Sequence, residues 1–197
     1  INKIALGETF LDNSENVVIK NRIQKDEYVA IVNKLKEHIL RGHCYEINFC
    51  QEFFASPVLI DPVRVYNKVS EISPNPFSAL YRFEDKRLIC ASPERFLKKQ
   101  SSNILSQPIK GTSKRILQSD SDDDKSKMEL YHSRKDRSEN VMIVDLVRND
   151  LSKVCKEGTV YVDELFGVYS FPQVHQMIST VSGTLKDDIS FSEIIRA

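Results

Sequence analysis

Two hydrophobic periods alternate along the chain, and their order restricts the fold more than any other feature of the sequence. Some segments repeat apolar residues every three or four positions, as an amphipathic helix does, whereas others alternate apolar and polar residues like a half-buried strand. The order is helix, strand, helix, several strands, helix and strands. Because strands follow one another in groups, this order predicts an α+β fold with mainly antiparallel pairing.

Three longer segments have the helical period. Residues 26–41 are expected to form a helix that is capped by Asp26 and stopped by Gly42. Residues 61–72 begin with aspartate and proline, which are typical of the cap and the first helical position. Residues 134–151 are predicted to form a third helix, whose inner positions would be Ile143, Leu146 and Val147.

The strand period appears first in residues 44–55, where Tyr45, Ile47, Phe49 and Phe53 would share one face. A hairpin around residues 84–86, a strand over residues 103–109, and the segments GTVYVDEL and VHQMISTVSGTL complete the predicted strands. Residues 119–127, SDSDDDKSK, form a run of charges that is interpreted as a mobile loop.

Composition excludes several classes of function. The 28 basic and 28 acidic residues cancel, so the chain lacks the net basic surface of a nucleic-acid or membrane-surface binder. No apolar run approaches the ~20 residues that span a bilayer, and residues 1–10 do not resemble a signal peptide. The four cysteines have no C-x-x-C spacing and are expected to be reduced, mostly buried thiols. These features predict a cytoplasmic protein.

Lys110 lies in the segment QPIKGTSKR, between a proline and a glycine, at what the pattern predicts to be a strand-to-loop boundary. A lysine is a nucleophile only as the neutral amine, so its pKa must be lowered by burial or by a nearby cation. Lys114 and Arg115 could supply that cation if the loop folds back. From this segment alone, a solvated loop lysine accounts for the pattern as well.

Four other side chains are candidates for chemistry, and each also has a structural interpretation. Asp136 and Glu139 lie three residues apart on a predicted helix, where they could hold Mg²⁺ or complement the helix dipole. Glu94 follows a proline at a strand end, where it is either a surface carboxylate or an acid/base group of a cleft. His175 shares its strand face with apolar side chains, which favours a half-buried histidine that is hydrogen-bonded within the protein.

Five motifs, taken in order, resemble the chorismate-utilising enzymes, which include the anthranilate, aminodeoxychorismate, isochorismate and salicylate synthases. The motifs are GHCYEINFCQ, ASPERF, PIKGT, DRSENVMIVDLVRNDL and VHQMISTVSG. The resemblance extends from about Arg22 to Ala197, and its long helix motif makes a chance match implausible.

Two positions separate the branches of this family. The sequence PIKGT is typical of aminodeoxychorismate synthases, whereas anthranilate synthases have alanine where Lys110 stands. Isochorismate and salicylate synthases use a lysine in the strand that aligns with YEINFCQ, and the matching residue here is Glu46, where the aminodeoxychorismate branch is expected to have glutamine. The resemblance therefore favours aminodeoxychorismate formation, with anthranilate formation or a non-catalytic binding module as the alternatives.

The resemblance implies a fold of two packed, mainly antiparallel β-sheets with outer helices, and it implies a reaction. Chorismate would bind with its carboxylate on Mg²⁺, and ammonia from a glutamine amidotransferase partner would replace its 4-hydroxyl group. Lys110 would be the nucleophile, with Glu94 assisting it. The matched positions are Lys110, Glu94 and His175 for catalysis, Gly111 and Thr112 for substrate binding, and Glu139 and Asp136 for the metal.

The resemblance also implies that further motifs of the family follow the position of Ala197. Relatives continue with a G-x-x-x-G-A-P-K segment, a tyrosine and an arginine that bind the substrate carboxylate, and a second magnesium glutamate. The chain is interpreted as a lead-in, residues 1–21, followed by the N-terminal two-thirds of a chorismate-binding domain, residues 22–197. With one of two acidic motifs, the chain is expected to bind Mg²⁺ weakly and to be inactive alone.

Overall fold

The computed structural model describes residues 17–197, so the signal-peptide argument and most of the predicted lead-in lie outside the described residues. Every strand pair in the described range is antiparallel, which confirms the predicted α+β class. The chain divides after Val65 into two compact units, which are described separately. None of the helices formed by residues 17–197 has the length and apolar character needed to cross a bilayer.

The described part of the first unit, residues 17–65, contains one long helix and one small sheet. Helix α1 (Lys25–Leu40) is preceded by Gln24 as its cap residue, so the predicted cap, Asp26, lies instead in the first turn beside the positive end of the helix dipole. The helix ends as predicted, because Gly42 adopts a φ of +77° and donates its amide to the Ile39 carbonyl.

The strand predicted over residues 44–55 is wrong for most of its length. Only Phe53–Phe54 (β2) is paired, with Lys20–Asn21 (β1), while residues 45–52 have no strand assignment and the Tyr45 and Ile47 side chains are exposed. Alternation describes which face a strand would bury, but a strand forms only where a neighbour accepts its backbone hydrogen bonds.

Helix α2 (Pro62–Ile72) confirms the prediction made from its first two residues. The Asp61 carboxylate accepts hydrogen bonds from the Val63 amide at 2.9 Å and the Arg64 amide at 3.3 Å. These are amides that a helix start leaves without a backbone partner, so the aspartate fixes where the helix begins.

The second unit contains a hairpin and a five-stranded sheet. The predicted turn at residues 84–86 is confirmed, because β3 and β4 pair directly on either side of Glu84 and Asp85. In the larger sheet, β9 is central, with β8 along one edge and β6 followed by β7 along the other. The strands are β3 (Phe77–Phe83), β4 (Lys86–Ser92), β5 (Arg95–Gln100), β6 (Asn103–Gln107), β7 (Ile109–Lys114), β8 (Tyr161–Ser170) and β9 (Val174–Thr184).

The predicted mobile loop at residues 119–127 is wrong, because most of it forms the start of helix α3 (Asp120–His132). Ser119 caps this helix, its Oγ accepting from the Asp122 amide at 3.4 Å, and three aspartates occupy the first turn. Negative charges are favourable at that end of a helix, so the acidic run stabilises the helix that it was expected to prevent. Helices α4 (Arg134–Val154) and α5 (Phe191–Arg196) follow.

The main core of the second unit lies between α4 and β9. Helix α4 buries Val144, Leu151 and Val154 against β6, β9 and α5, and Val147 packs at the edge of this core. Leu146, predicted to face inward, is 54% exposed, so that assignment is wrong. Of the four free cysteines, Cys155 is buried, Cys44 and Cys90 are half-buried and Cys50 is exposed.

Candidate active site

Lys110 lies inside β7, at a β-bulge, and not at the predicted strand-to-loop boundary. Ile109 pairs with Ile178 and Thr112 pairs with Gln176, so three steps along β7 match two steps along β9. Pro108, which cannot donate to a ladder, separates β6 from β7, and its carbonyl accepts the Ser179 amide at 3.2 Å. The bulge gives the half-buried Lys110 a fixed position on the edge of a sheet.

Gly111, the residue after the lysine, brings β7 into close contact with the junction of α3 and α4. Its φ is +93°, and a Cβ at this position would lie 2.8 Å from the Asp136 Cβ and 3.0 Å from the Leu130 Cδ1. A side chain would therefore be excluded both by the backbone conformation and by the packing. The glycine places the Asp136 side chain directly against the backbone that carries Lys110.

Glu94 reaches the same strand from the connection between β4 and β5. Its Oε1 accepts a hydrogen bond from the Ile109 amide at 2.9 Å, and the Ser92 Oγ holds the backbone of the connection by donating to the Glu94 carbonyl at 3.1 Å. The Glu94 carboxylate is exposed and touches the residue directly before Lys110. Two residues singled out in the sequence, Glu94 and Asp136, therefore lie against Ile109 and Gly111, which flank Lys110.

Asp136 and Glu139 occupy the first two turns of α4, and their fit to Mg²⁺ can be judged from their surroundings. Both are half-buried carboxylates, the donor type that Mg²⁺ prefers, and Glu139 lies 3.7 Å from the Lys135 ammonium group in an exposed ion pair. Within residues 17–197, no three acidic, histidine or cysteine side chains come together as a metal site. The pair fits an ion that keeps several waters and takes further ligands elsewhere.

His175 is on the face of β9 that α3 and α4 cover. It is 1% exposed, its Nε2 lies 3.1 Å from the Asp123 Oδ1, and its Nδ1 lies 2.9 Å from the Ser170 Oγ. An ionised carboxylate only accepts, which assigns the ring proton to Nε2 and lets Nδ1 accept from the serine hydroxyl. The sequence argument for a histidine satisfied within the protein describes this environment, although the ring is fully and not half buried. Its contact with substrate stays a prediction.

Sequence reasoning missed Asp123, which is central to this region. Its carboxylate accepts from the Arg115 Nε at 2.8 Å and 3.0 Å, from the Ile116 amide at 2.7 Å and from His175. The hydrogen bond from Arg115, followed by that from the Ile116 amide, lowers the pKa of Asp123 to about 2. The available signal was a serine followed by aspartates, which is typical of a helix start.

Arg115 is therefore engaged with Asp123 and with the Phe171 carbonyl, to which its Nη1 donates at 2.9 Å. The charge of the Arg115 guanidinium group is thereby balanced by a neighbouring carboxylate.

The opposite face of the sheet from His175 carries a row of polar side chains. Neighbouring residues of a strand point to opposite faces, so Gln176 lies on this face together with its register partner, Thr112. Gln107 continues the row by accepting from the Arg95 Nε at 2.9 Å and donating to the Thr180 Oγ1 at 3.2 Å. Gln176 is 7% exposed, and its Oε1 has no hydrogen-bond partner among residues 17–197. Thr112, a predicted substrate position, is exposed on this face.

Comparisons with known proteins agree with the motifs. The chain is 36% identical over 178 residues to aminodeoxychorismate synthase component 1 of Escherichia coli, which covers 90% of this chain and 39% of that protein. It is 37% identical to a probable chloroplastic aminodeoxychorismate synthase of Oryza sativa, covering 94% of this chain and 21% of that protein. It is also 36% identical to anthranilate synthase component 1 of Saccharolobus solfataricus, covering 89% and 41% respectively.

A solved structure confirms the fold. Anthranilate synthase component I from Streptococcus pneumoniae superposes with a TM-score of 0.80 at 23% identity, over 91% of this chain and 39% of that one. The chain thus spans about two fifths of the length of that protein and of the Escherichia coli relative. Residues 7–197 match the family described as chorismate binding enzyme, and the chain belongs to that family.

Proposed function

We propose that the natural protein containing this chain is an aminodeoxychorismate synthase component 1, which converts chorismate and ammonia to 4-amino-4-deoxychorismate and water. The observation that carries this proposal is the convergence of Glu94, Asp136 and the bulged Lys110–Gly111 segment on one edge of the sheet. The proposed setting is cytoplasmic p-aminobenzoate and folate synthesis, with a glutamine amidotransferase supplying the ammonia.

The first proposed step forms a bond between the Lys110 Nζ and C2 of chorismate. The ring double bonds shift and the C4–O bond breaks, and the oxygen leaves as water after accepting a proton, for which Glu94 is the proposed donor. Ammonia then bonds to C4, the reverse shift breaks the C2–N bond, and the lysine amine is released. A lysine fixed at a bulge is suited to this role, because the nucleophile must be held close to C2.

The residues proposed to hold Mg²⁺ are Asp136 and Glu139, together with ligands beyond this chain. When bound, the metal would act as a Lewis acid towards the substrate carboxylate. Thr112 and Gln176 lie on the sheet face opposite the helices, where their polar groups are available to orient the ring of the substrate.

The product distinguishes this function from the alternatives. The natural protein, supplied with chorismate, Mg²⁺ and ammonium, is expected to form a product with the mass of aminodeoxychorismate. Anthranilate as the main product would overturn the proposal in favour of the second branch, since anthranilate synthases are also among the relatives. No conversion with ammonium or with an added amidotransferase would favour a binding module.

Replacing Lys110 by alanine in the natural protein is expected to remove most of kcat, because the amine that bonds to C2 is no longer present. Lys114→Ala is the matched control, because Lys114 is an exposed lysine of the same strand. Near-normal turnover of Lys110→Ala would reject the covalent mechanism while leaving product identity as a separate result.

A further inference from the structure

Asp123 joins three elements of the second unit through one carboxylate. It belongs to α3, it accepts from Arg115 and Ile116 directly after β7, and it accepts from His175 in β9. The Asp123 side chain is only 13% exposed, so these bonds are partly shielded from water. Hydrogen bonds to a charged, shielded group are among the stronger ones in proteins.

Further contacts hold the same end of β7. The Ser126 Oγ of α3 donates to the Lys114 carbonyl at 2.9 Å, and the Ser113 Oγ donates to the Ser126 carbonyl at 3.2 Å. At its other end, β7 packs against Asp136 and Leu130 through Gly111. The strand is thereby fixed at Gly111 and at its C-terminal end, and Lys110 directly precedes this fixed segment.

Ser170, His175 and Asp123 are connected by hydrogen bonds in the order of a hydrolase triad. A catalytic triad is therefore the alternative to a purely structural role for this group. In such a triad, an ionised aspartate stabilises the imidazolium ion that forms when the histidine takes a proton. Here Asp123 is already neutralised by Arg115 and also binds the Ile116 amide, so little of its charge is available to the ring. The arrangement is suited to fixing geometry and not to activating the serine.

We propose that Asp123 is a positioning residue for Lys110, and that His175 acts through Asp123 and does not touch the substrate. This inference rests on the proposed function for its effect on turnover, but its effect on the environment of Lys110 does not depend on that function. The α3 carboxylate would hold the end of β7, so that the bulge presents the lysine in one orientation.

The first test compares Asp123→Asn with Asp124→Asn in the natural protein, since Asp124 is an exposed neighbour in the same turn of α3. The rate at which a lysine-selective acylating reagent labels Lys110 is measured by peptide mass spectrometry. We expect a change of several-fold in Asp123→Asn and none in Asp124→Asn. Equal labelling of Lys110 in both variants would overturn the proposal, whatever reaction the protein catalyses.

Turnover gives a second reading. Displacing a catalytic group by about 1 Å can lower the reaction rate about 10²-fold. The kcat of Asp123→Asn is therefore expected to fall about 10- to 100-fold, with little change in KM. Arg115→Lys is a milder variant for use if Asp123→Asn does not fold, because it keeps the charge but not the guanidinium geometry. A loss confined to KM in either folded variant would contradict a positioning role.

The role of His175 is tested by rescue. In His175→Gln the amide nitrogen can replace Nε2 as the donor to Asp123, whereas His175→Leu has no donor. We expect the glutamine variant to retain most of the kcat that the leucine variant loses, and the double variant Asp123→Asn/His175→Leu to be no worse than the poorer single variant. Equal, severe losses in both His175 variants, adding to that of Asp123→Asn, would assign His175 to the chemistry instead.

Discussion

At the scale of single residues, Gly111 is a position where both the backbone conformation and the packing require glycine. Its left-handed φ favours glycine, and the space that a Cβ would occupy is taken by Asp136 and Leu130. The sequence motif identified this glycine as a substrate position. The structure adds that it lets the lysine-bearing strand lie directly against the helix that carries the candidate metal ligands.

Gly111→Ala is therefore expected to destabilise the fold more than Gly158→Ala. Both glycines have positive φ, but a Cβ at Gly158 would meet nothing within 4 Å. The difference in unfolding free energy between the two variants should be about 1–3 kcal/mol, the usual cost of overpacking, measured by urea denaturation. Similar stabilities of the two variants would show that Asp136 and Leu130, at the junction of α3 and α4, can move to accommodate a methyl group at little energetic cost.

Asp123 should contribute to the acid sensitivity of the fold. Its pKa is about 2 in the folded protein because of Arg115 and the Ile116 amide, below its usual value of 3.8. A carboxyl group with a lowered folded pKa stabilises the fold above the unfolded pKa, and this contribution is lost as the pH falls towards 2. Asp123→Asn should therefore flatten the decline in stability from about pH 5 to pH 2. Asp124→Asn should leave that decline as in the wild type when thermal unfolding is followed across the same range.

At the scale of secondary structure, the sequence predicted elements well where local residues determine them. Asp61 and Pro62 located the start of α2, and Ser190 and Glu193 form a capping box at the start of α5, another local signal for a helix. The acidic run before α3 was misread because its net charge was considered without the serine that begins it. Residues 45–52 alternate like a strand but have no strand partner, and a partner cannot be read from alternation.

Helix α4 offers a test of its corrected inner face. Leu151 is 4% exposed within the main core, whereas Leu146 is exposed. Leu151→Ala is expected to cost about 2–5 kcal/mol of unfolding free energy, and Leu146→Ala to change it by less than about 0.5 kcal/mol. Chemical denaturation of both variants measures these losses, and a loss in Leu146→Ala as large as that in Leu151→Ala would restore the inner position predicted for Leu146.

At the scale of the whole molecule, the family was predictable because five motifs occur in a fixed order, and the antiparallel pairing of the strands was predictable from the order of the elements. Part of the geometry of the candidate site was predictable, since Glu94 and Asp136 lie against Ile109 and Gly111, the two residues that flank Lys110. Asp123 was not, because its partners lie 52 residues away in His175 and on another element in Arg115. Contacts of that kind depend on which helix packs against which strand, and this cannot be predicted from a local sequence pattern.

The isolated 197-residue chain is expected to self-associate near neutral pH. Its basic and acidic residues balance, its pI is about 7.1, and several large apolar side chains are exposed, among them Leu59, Phe96 and Phe191. A net charge near zero removes the repulsion that keeps apolar surfaces apart. Light scattering should show more association at pH 7 than at pH 9. The opposite order would mean that charge repulsion does not control the contacts.

The bulge in β7 also makes this strand sensitive to a kind of change that substitutions do not test. Strand β7 has one more residue between Ile109 and Thr112 than β9 has between their partners. Ile109 and Thr112 therefore pair with Ile178 and Gln176, which lie on the same face of β9. Deleting Gly111 would restore a regular ladder with Thr112 still opposite Gln176, and it would turn the position of Lys110 into an ordinary place on the pleat. A deletion or insertion after Thr112 would instead shift the following residues of β7 by one place and turn their side chains to the other face. Length variation between Ile109 and Arg115 should therefore be tolerated poorly, even where single replacements are accepted.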